Sequence, residues 1–132
     1  YANNVNEAFD KYLSNKILFN IREPRMNVSK AIITIKNSGG IPIWAHPNIK
    51  DINFEKNLQE FIVMGLAGIE VASPRYGLNR QEIIMNVCSK YNLLLSGGSD
   101  FHGFHKGIDI SSDYGIKHKE FIDIKKYLNI KK

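Results

Sequence analysis

Three short apolar segments, separated from one another by helix-length amphipathic segments, predict an α/β protein with parallel strands. The segments over residues 41–45, 68–72 and 93–96 lack strict alternation, which suits strands buried on both faces. Polar residues fall at the ends of these segments. His46 follows the first, Glu70 and Ser73 lie in or after the second, and Asp100 and His102 follow the third. In parallel α/β architectures, chemistry gathers at the carboxyl ends of the strands.

The elements follow in order. Residues 4–13 read as a helix with Val5, Ala8, Phe9, Tyr12 and Leu13 on one stripe. Residues 15–27 are irregular, with Pro24 as a breaker and Arg22 and Arg25 beside it. A second helix over 29–37 places Ile32, Ile33 and Ile35 among its apolar residues and closes at Ser38-Gly39-Gly40. The first strand, 41–45, runs into His46-Pro47, and its Trp44 reads as core. A third helix over 54–64 stops at Gly65, and the second strand, 68–72, runs into Ser73-Pro74. Asn79 is a good N-cap for a helix reaching about residue 90. The third strand, 93–96, opens a loop from 97 to about 116, and a last helix covers 120–128. The chain shows no internal repeat and no low-complexity stretch.

At 132 residues the chain is about one domain long, and a hydrophobic content of 43% is ample for a core. Its single cysteine, Cys88, cannot form an internal disulfide and reads as a small buried hydrophobe, which fits a reducing cytoplasm. No apolar run is long enough to cross a membrane, and no signal peptide is visible. The net charge of +5 suits a polyanionic partner, although the clustered lysines near the end read as a solvated helix face. The chain opens on Tyr1 rather than Met, which leads us to expect a processed chain or part of a longer one.

The densest chemistry lies in Ser96-Gly97-Gly98-Ser99-Asp100-Phe101-His102-Gly103. Residues i and i+2 of extended backbone point the same way, so Asp100 and His102 converge beyond a strand end. A divalent Mn, Fe or Zn ion accepts that mix of oxygen and nitrogen ligands. Ser99 and the Gly97 and Gly98 amides either form an anion-binding nest or simply permit a tight turn. Glu70 either faces the site or is a paired structural carboxylate. His105 is either a spare ligand or an exposed loop residue, and Tyr76 is a thin candidate for stacking on a base.

Ala45-His46-Pro47 after a strand, Gly68-Ile69-Glu70-Val71, and Gly97-Gly98-Ser99-Asp100-Phe101-His102-Gly103 together resemble the PHP (polymerase and histidinol phosphatase) phosphoesterase family. The likeness is greatest to its small members, the nucleoside 3′,5′-bisphosphate phosphatases and 5′-3′ exoribonucleases. The resemblance implies a distorted (β/α)7 TIM-like barrel, of which this chain would form the C-terminal part. It implies two or three divalent metal ions at the strand ends, with His46, Asp100 and His102 as metal ligands and Asp100 and His102 in catalytic roles. The second ring nitrogen of His46 would be held by a neighbouring acceptor. Arg22 falls where that group carries an arginine. It, Arg75 and Ser99 are candidate contacts for substrate phosphate, with surface arginines as the alternative for the first two.

The family pattern begins with a His-x-His strand end, which is missing here: the four histidines are His46, His102, His105 and His118. The N-terminal metal-binding half of the barrel is therefore expected to lie elsewhere, and the isolated chain to bind metal weakly and turn over little. The expected substrate is a nucleotide or short oligonucleotide. The alternatives are another phosphomonoester, or a degenerate module without chemistry. A piece of a barrel exposes sheet edges, so self-association is also expected.

Overall fold

A computed structural model of the chain describes residues 1–13, 26–74, 77–101 and 114–128. Helix α1, Val5–Ala8, starts where the Asn4 side chain accepts the Glu7 amide at 2.9 Å. It passes into a π-helical turn over Phe9–Leu13 instead of continuing as the single helix expected. Its apolar stripe is exposed, with Val5, Phe9, Tyr12 and Leu13 all outside the core.

Helix α2, Val28–Asn37, is capped by Asn27, whose side chain accepts the Lys30 amide at 2.8 Å. Only Ile32 of its isoleucines enters the core, while Ile33 and Ile35 face outward. Strand β1 is short, Ile43–Trp44. Pro42 has no N–H to add to a ladder, and its carbonyl accepts the Ala67 amide at 2.9 Å instead. Helix α3, Phe54–Met64, ends as predicted at Gly65, which takes φ 104°. That left-handed turn is open to glycine without cost. Strand β2, Gly68–Ala72, also matches the sequence reading.

Helix α4, Leu78–Tyr91, begins two residues earlier than Asn79 would place it. Gly77 is the cap, and its carbonyl accepts the Arg80 and Gln81 amides. Strand β3 is Leu94–Gly97, and helix α5, His118–Tyr127, starts two residues before the expected position. Among the described residues, no helix is long and apolar enough to cross a membrane.

The three strands form one parallel sheet in the order β1-β2-β3. Ile43 pairs with Gly68 and Trp44 with Ile69, while Gly68, Ile69 and Glu70 pair with Leu94, Leu95 and Ser96. Parallel neighbours need helical crossovers, which α3 and α4 supply. The core lies between β2 and these helices. Ile69, Leu58 and Ile84 are fully buried there, joined by Phe54, Val71, Ile32 and Cys88. Each large side chain so buried contributes about 1.5–3 kcal/mol. Trp44 packs at the margin of this core, with ring centroids 5.4 Å from Phe54 and 5.0 Å from Phe61. Burial pushes the Cys88 thiol up to about 11, so it stays protonated and packs as a small apolar group. The expected burial on both faces holds for β2, whereas β1 and β3 are half-buried.

Candidate functional site

The carboxyl ends of β1 and β3 bring His46 and Asp100 together across the sheet. The His46 Nε2 atom lies 3.8 Å from Asp100 Oδ1. Two ligands of one tetrahedral ion, each about 2.0–2.2 Å from it, stand about 3.4 Å apart. The observed pair is therefore within a small side-chain adjustment of sharing an ion, and its nitrogen–oxygen chemistry suits a divalent transition metal. Among the described residues, no group of three His, Cys, Asp or Glu side chains is arranged to hold a metal by itself.

Glu70 fixes the imidazole. Its Oε2 accepts a hydrogen bond from the His46 backbone amide at 2.9 Å and lies 2.9 Å from the ring Nδ1. A carboxylate can only accept, so its nearness to Nδ1 favours the tautomer with the proton there. In the neutral ring Nε2 is then bare, the form a metal requires, and it is the nitrogen nearest Asp100. Ile69 and Val71 turn into the core on the opposite face, which leaves the Glu70 side chain on the site's side of the strand. Of the two readings open for Glu70, the structure supports a carboxylate at the site, paired with the candidate ligand.

Local backbone supports the same assignment. Three non-glycine residues among those described have positive φ: His46 at 50°, Asn92 at 52° and Asp100 at 52°. Asn92 merely ends α4 in the left-handed form common at helix ends. His46 and Asp100 have no such excuse, and His46 also precedes a proline, where extended backbone is the rule. Left-handed backbone is uncommon outside glycine, although Asp and His enter it more readily than most, and it gathers at functional sites. A register shift between Glu70 and Ala72 lies beside them, a bulge of the kind that re-aims side chains near active sites.

Gly97 acts through space, not through φ. A Cβ on Gly97 would stand 2.7 Å from both the Ala72 Cβ and the Tyr114 carbonyl oxygen. Only glycine allows β3 to leave the sheet so close to β2. The Gly98 amide donates to the Ala72 carbonyl at 3.0 Å, which commits it to the sheet. This favours the tight-turn reading of Gly97-Gly98 over an anion-binding nest. Ser99 is half-buried beside Asp100. His102, Arg22, Arg75, Tyr76 and His105 lie outside the described residues.

Arg80 is the neighbour that sequence reasoning missed. Its Nη2 donates to the Pro47 carbonyl, next to His46, across 33 positions of sequence. No local pattern signals a contact of that span. A cavity of about 760 Å³ lies elsewhere. Ala67, Asn92 and Leu93 in its lining precede β2 and β3, so it opens at the amino ends of the strands, away from the His46–Asp100 pair.

Replacing Glu70 by Gln removes the charge and leaves a side chain of the same size. We expect a 10–100-fold loss of divalent-metal affinity, the usual effect of removing a ligand's supporting partner. Calorimetric titration with Zn²⁺ or Mn²⁺ checks it, and unchanged affinity would reduce Glu70 to a packing role.

No family model matches the chain. It is 29% identical over 104 residues to the 5′-3′ exoribonuclease of Haemophilus influenzae, covering 76% of this chain and 38% of that protein. It is 29% identical over 103 residues to the 3′,5′-nucleoside bisphosphate phosphatase of Chromobacterium violaceum, covering 76% and 36%. A third relative is the phosphoribosyl 1,2-cyclic phosphate 1,2-diphosphodiesterase of Eggerthella lenta, 30% identical over 73 residues, with 55% and 27% covered. The fold is similar to that of a Bifidobacterium adolescentis protein assigned as a metal-dependent phosphoesterase, with a TM-score of 0.71 at 24% identity over 91% of this chain and 43% of that one. A sulfate-bound, metal-free amidohydrolase of C. violaceum gives a TM-score of 0.65 at 24% identity, with 89% and 44% covered. The chain spans less than half the length of each.

Proposed function

From its relationship, at low identity, to the PHP-family phosphoesterases, we propose that this chain is part of a metal-dependent phosphoesterase acting on nucleotides or oligonucleotide ends. In this reading the chain supplies the C-terminal part of a (β/α)7 barrel. The observation that carries it is the His46–Asp100 pair, with the imidazole pinned by Glu70. Support for further strands comes from the edge at β1. An apolar groove of about 350 Å³ runs along it, with Met26, Ile35, Trp44 and Phe61 in its walls. Left uncovered, such an edge would also promote self-association.

His46 and Asp100 would hold the metal, with the further ligands supplied from outside the described residues. A divalent ion held by these residues would supply Lewis-acid polarisation of a phosphoryl oxygen and a more acidic attacking water. Asp100 contributes negative charge and an oxygen acceptor able to orient that water's proton. His46 contributes a neutral nitrogen ligand, kept in one tautomer by Glu70. His46 is 41% exposed and Asp100 17%, so the pair opens toward substrate while its supporting carboxylate, at 12%, is covered. Arg22, Arg75 and Ser99 remain the candidate contacts for the substrate's phosphate.

The test is turnover by the protein expressed with any coding sequence that precedes Tyr1. A nucleoside 3′,5′-bisphosphate, a 5′-phosphorylated oligoribonucleotide and a simple sugar phosphate are compared with Mn²⁺, Fe²⁺ or Zn²⁺. We expect chelator-sensitive release of phosphate or mononucleotide from one of the first two, and little from the 132-residue chain alone. Preference for the sugar phosphate would favour the second reading, another phosphate ester, which the third relative supports. No release from any of them would leave a binding module.

A further inference from the structure

The turn that presents His46 is gripped on both sides by charged side chains. On the near side, the His46 amide donates to Glu70 of β2. On the far side, the Pro47 carbonyl accepts from the Arg80 guanidinium, which reaches across from the first turn of α4. Pro47 is fully buried and has no N–H, so its carbonyl is the main-chain polar group it must satisfy. Arg80 is half-buried, which shields the contact from water. Between these two anchors His46 takes φ 50°, a conformation that surrounding contacts must impose.

Resting on the metal-site reading above, we propose that Arg80 is a positioning residue for the His46 imidazole. By holding the Pro47 carbonyl, it keeps the His46–Pro47 turn left-handed. That turn aims Nδ1 at Glu70 and Nε2 at Asp100. Two features make arginine apt here. Its charge strengthens a hydrogen bond to a carbonyl, and its planar fork loses less freedom than lysine for each bond formed. The early start of α4 at Leu78 matters for the same reason, because it puts Arg80 in the first helical turn, level with Pro47. A purely structural arginine, tying α4 to the β1 loop, would affect stability without affecting the ring.

Nitrogen NMR of the imidazole separates the two roles in the 132-residue chain without metal. At a pH of about 8, above the ordinary imidazole range, the unaltered chain is expected to show His46 with its proton on Nδ1. Arg80→Met keeps the packed stem and removes every donor; the expected result is loss of the fixed tautomer in a chain with unchanged helix content. Arg80→Lys restores one donor and is expected to retain the wild-type pattern. A folded Arg80→Met chain with the wild-type imidazole pattern overturns the proposal. Should that variant fail to fold, Arg80→Lys decides: a retained tautomer supports the clamp and a mixed one overturns it. Zn²⁺ added to the same samples isolates the underlying reading. If millimolar Zn²⁺ leaves the wild-type Nε2 resonance unmoved, in this chain and with any coding sequence that precedes Tyr1 included, the metal site fails even where the clamp stands.

Discussion

If the proposed phosphoesterase reading holds, Asp100→Asn is expected to lower metal-dependent phosphate release by about 10³-fold or more. Lewis-acid stabilisation by a bound ion is worth several kcal/mol, and each 1.36 kcal/mol is a factor of ten in rate. Asparagine is the informative replacement because Asp100 has φ 52°. Asp and Asn both tolerate left-handed backbone, so the variant keeps the turn and loses only the charged ligand. Alanine at this position would confuse loss of the carboxylate with backbone strain. Ser99→Ala supplies the control, since it alters the neighbouring residue without touching the His46–Asp100 pair, and it should retain activity within about tenfold if Ser99 makes a single phosphate contact. The measurement is initial rate at saturating Mn²⁺, together with metal content. Asp100→Asn activity within tenfold of the parent would remove Asp100 from the metal site.

The elements that could be read from sequence are those whose signals are local. Helix α3 ended at Gly65 and strand β2 ran from Gly68 to Ala72 as expected, because an amphipathic period, a glycine stop and a compact apolar run all agree there. The start of α4 was misplaced because Asn79 is a better cap in isolation than Gly77. What competes with it is tertiary: the earlier start carries Arg80 to Pro47. The β1 strand was overestimated since Pro42 is apolar but cannot join a ladder as a donor. At the site, His46 and Asp100 were legible from their position after apolar runs. Their meeting at 3.8 Å, the left-handed φ of both, and the approach of the His46 amide and Nδ1 to Glu70 were not, since they depend on strand order and register. Glu70 was visible as a residue but ambiguous in role. Alternation placed it opposite Ile69 and Val71, and only the neighbouring strand shows what it faces.

Ile69→Ala is expected to destabilise the fold by about 2–5 kcal/mol, the range for truncating a buried aliphatic side chain to alanine. A domain of this size has about 5–15 kcal/mol in total, so the loss is a large fraction of its stability. Ile69 is 0% exposed and sits in the central strand, in register with Trp44 on one side and Leu95 on the other. Ile33→Ala, at a residue 52% exposed on α2, should cost much less, within about 1 kcal/mol. Urea unfolding of the two variants at matched slope gives both numbers. The comparison also bears on the site. Glu70 follows Ile69 in the same strand, so a cavity beneath that strand loosens the carboxylate that orients His46. Metal affinity should therefore fall in Ile69→Ala under conditions where the variant remains folded, and stay unchanged in Ile33→Ala. Equal and small stability losses in the two variants would mean that the sheet carries no buried layer at β2, and the packing argument for a rigid site would fail with it.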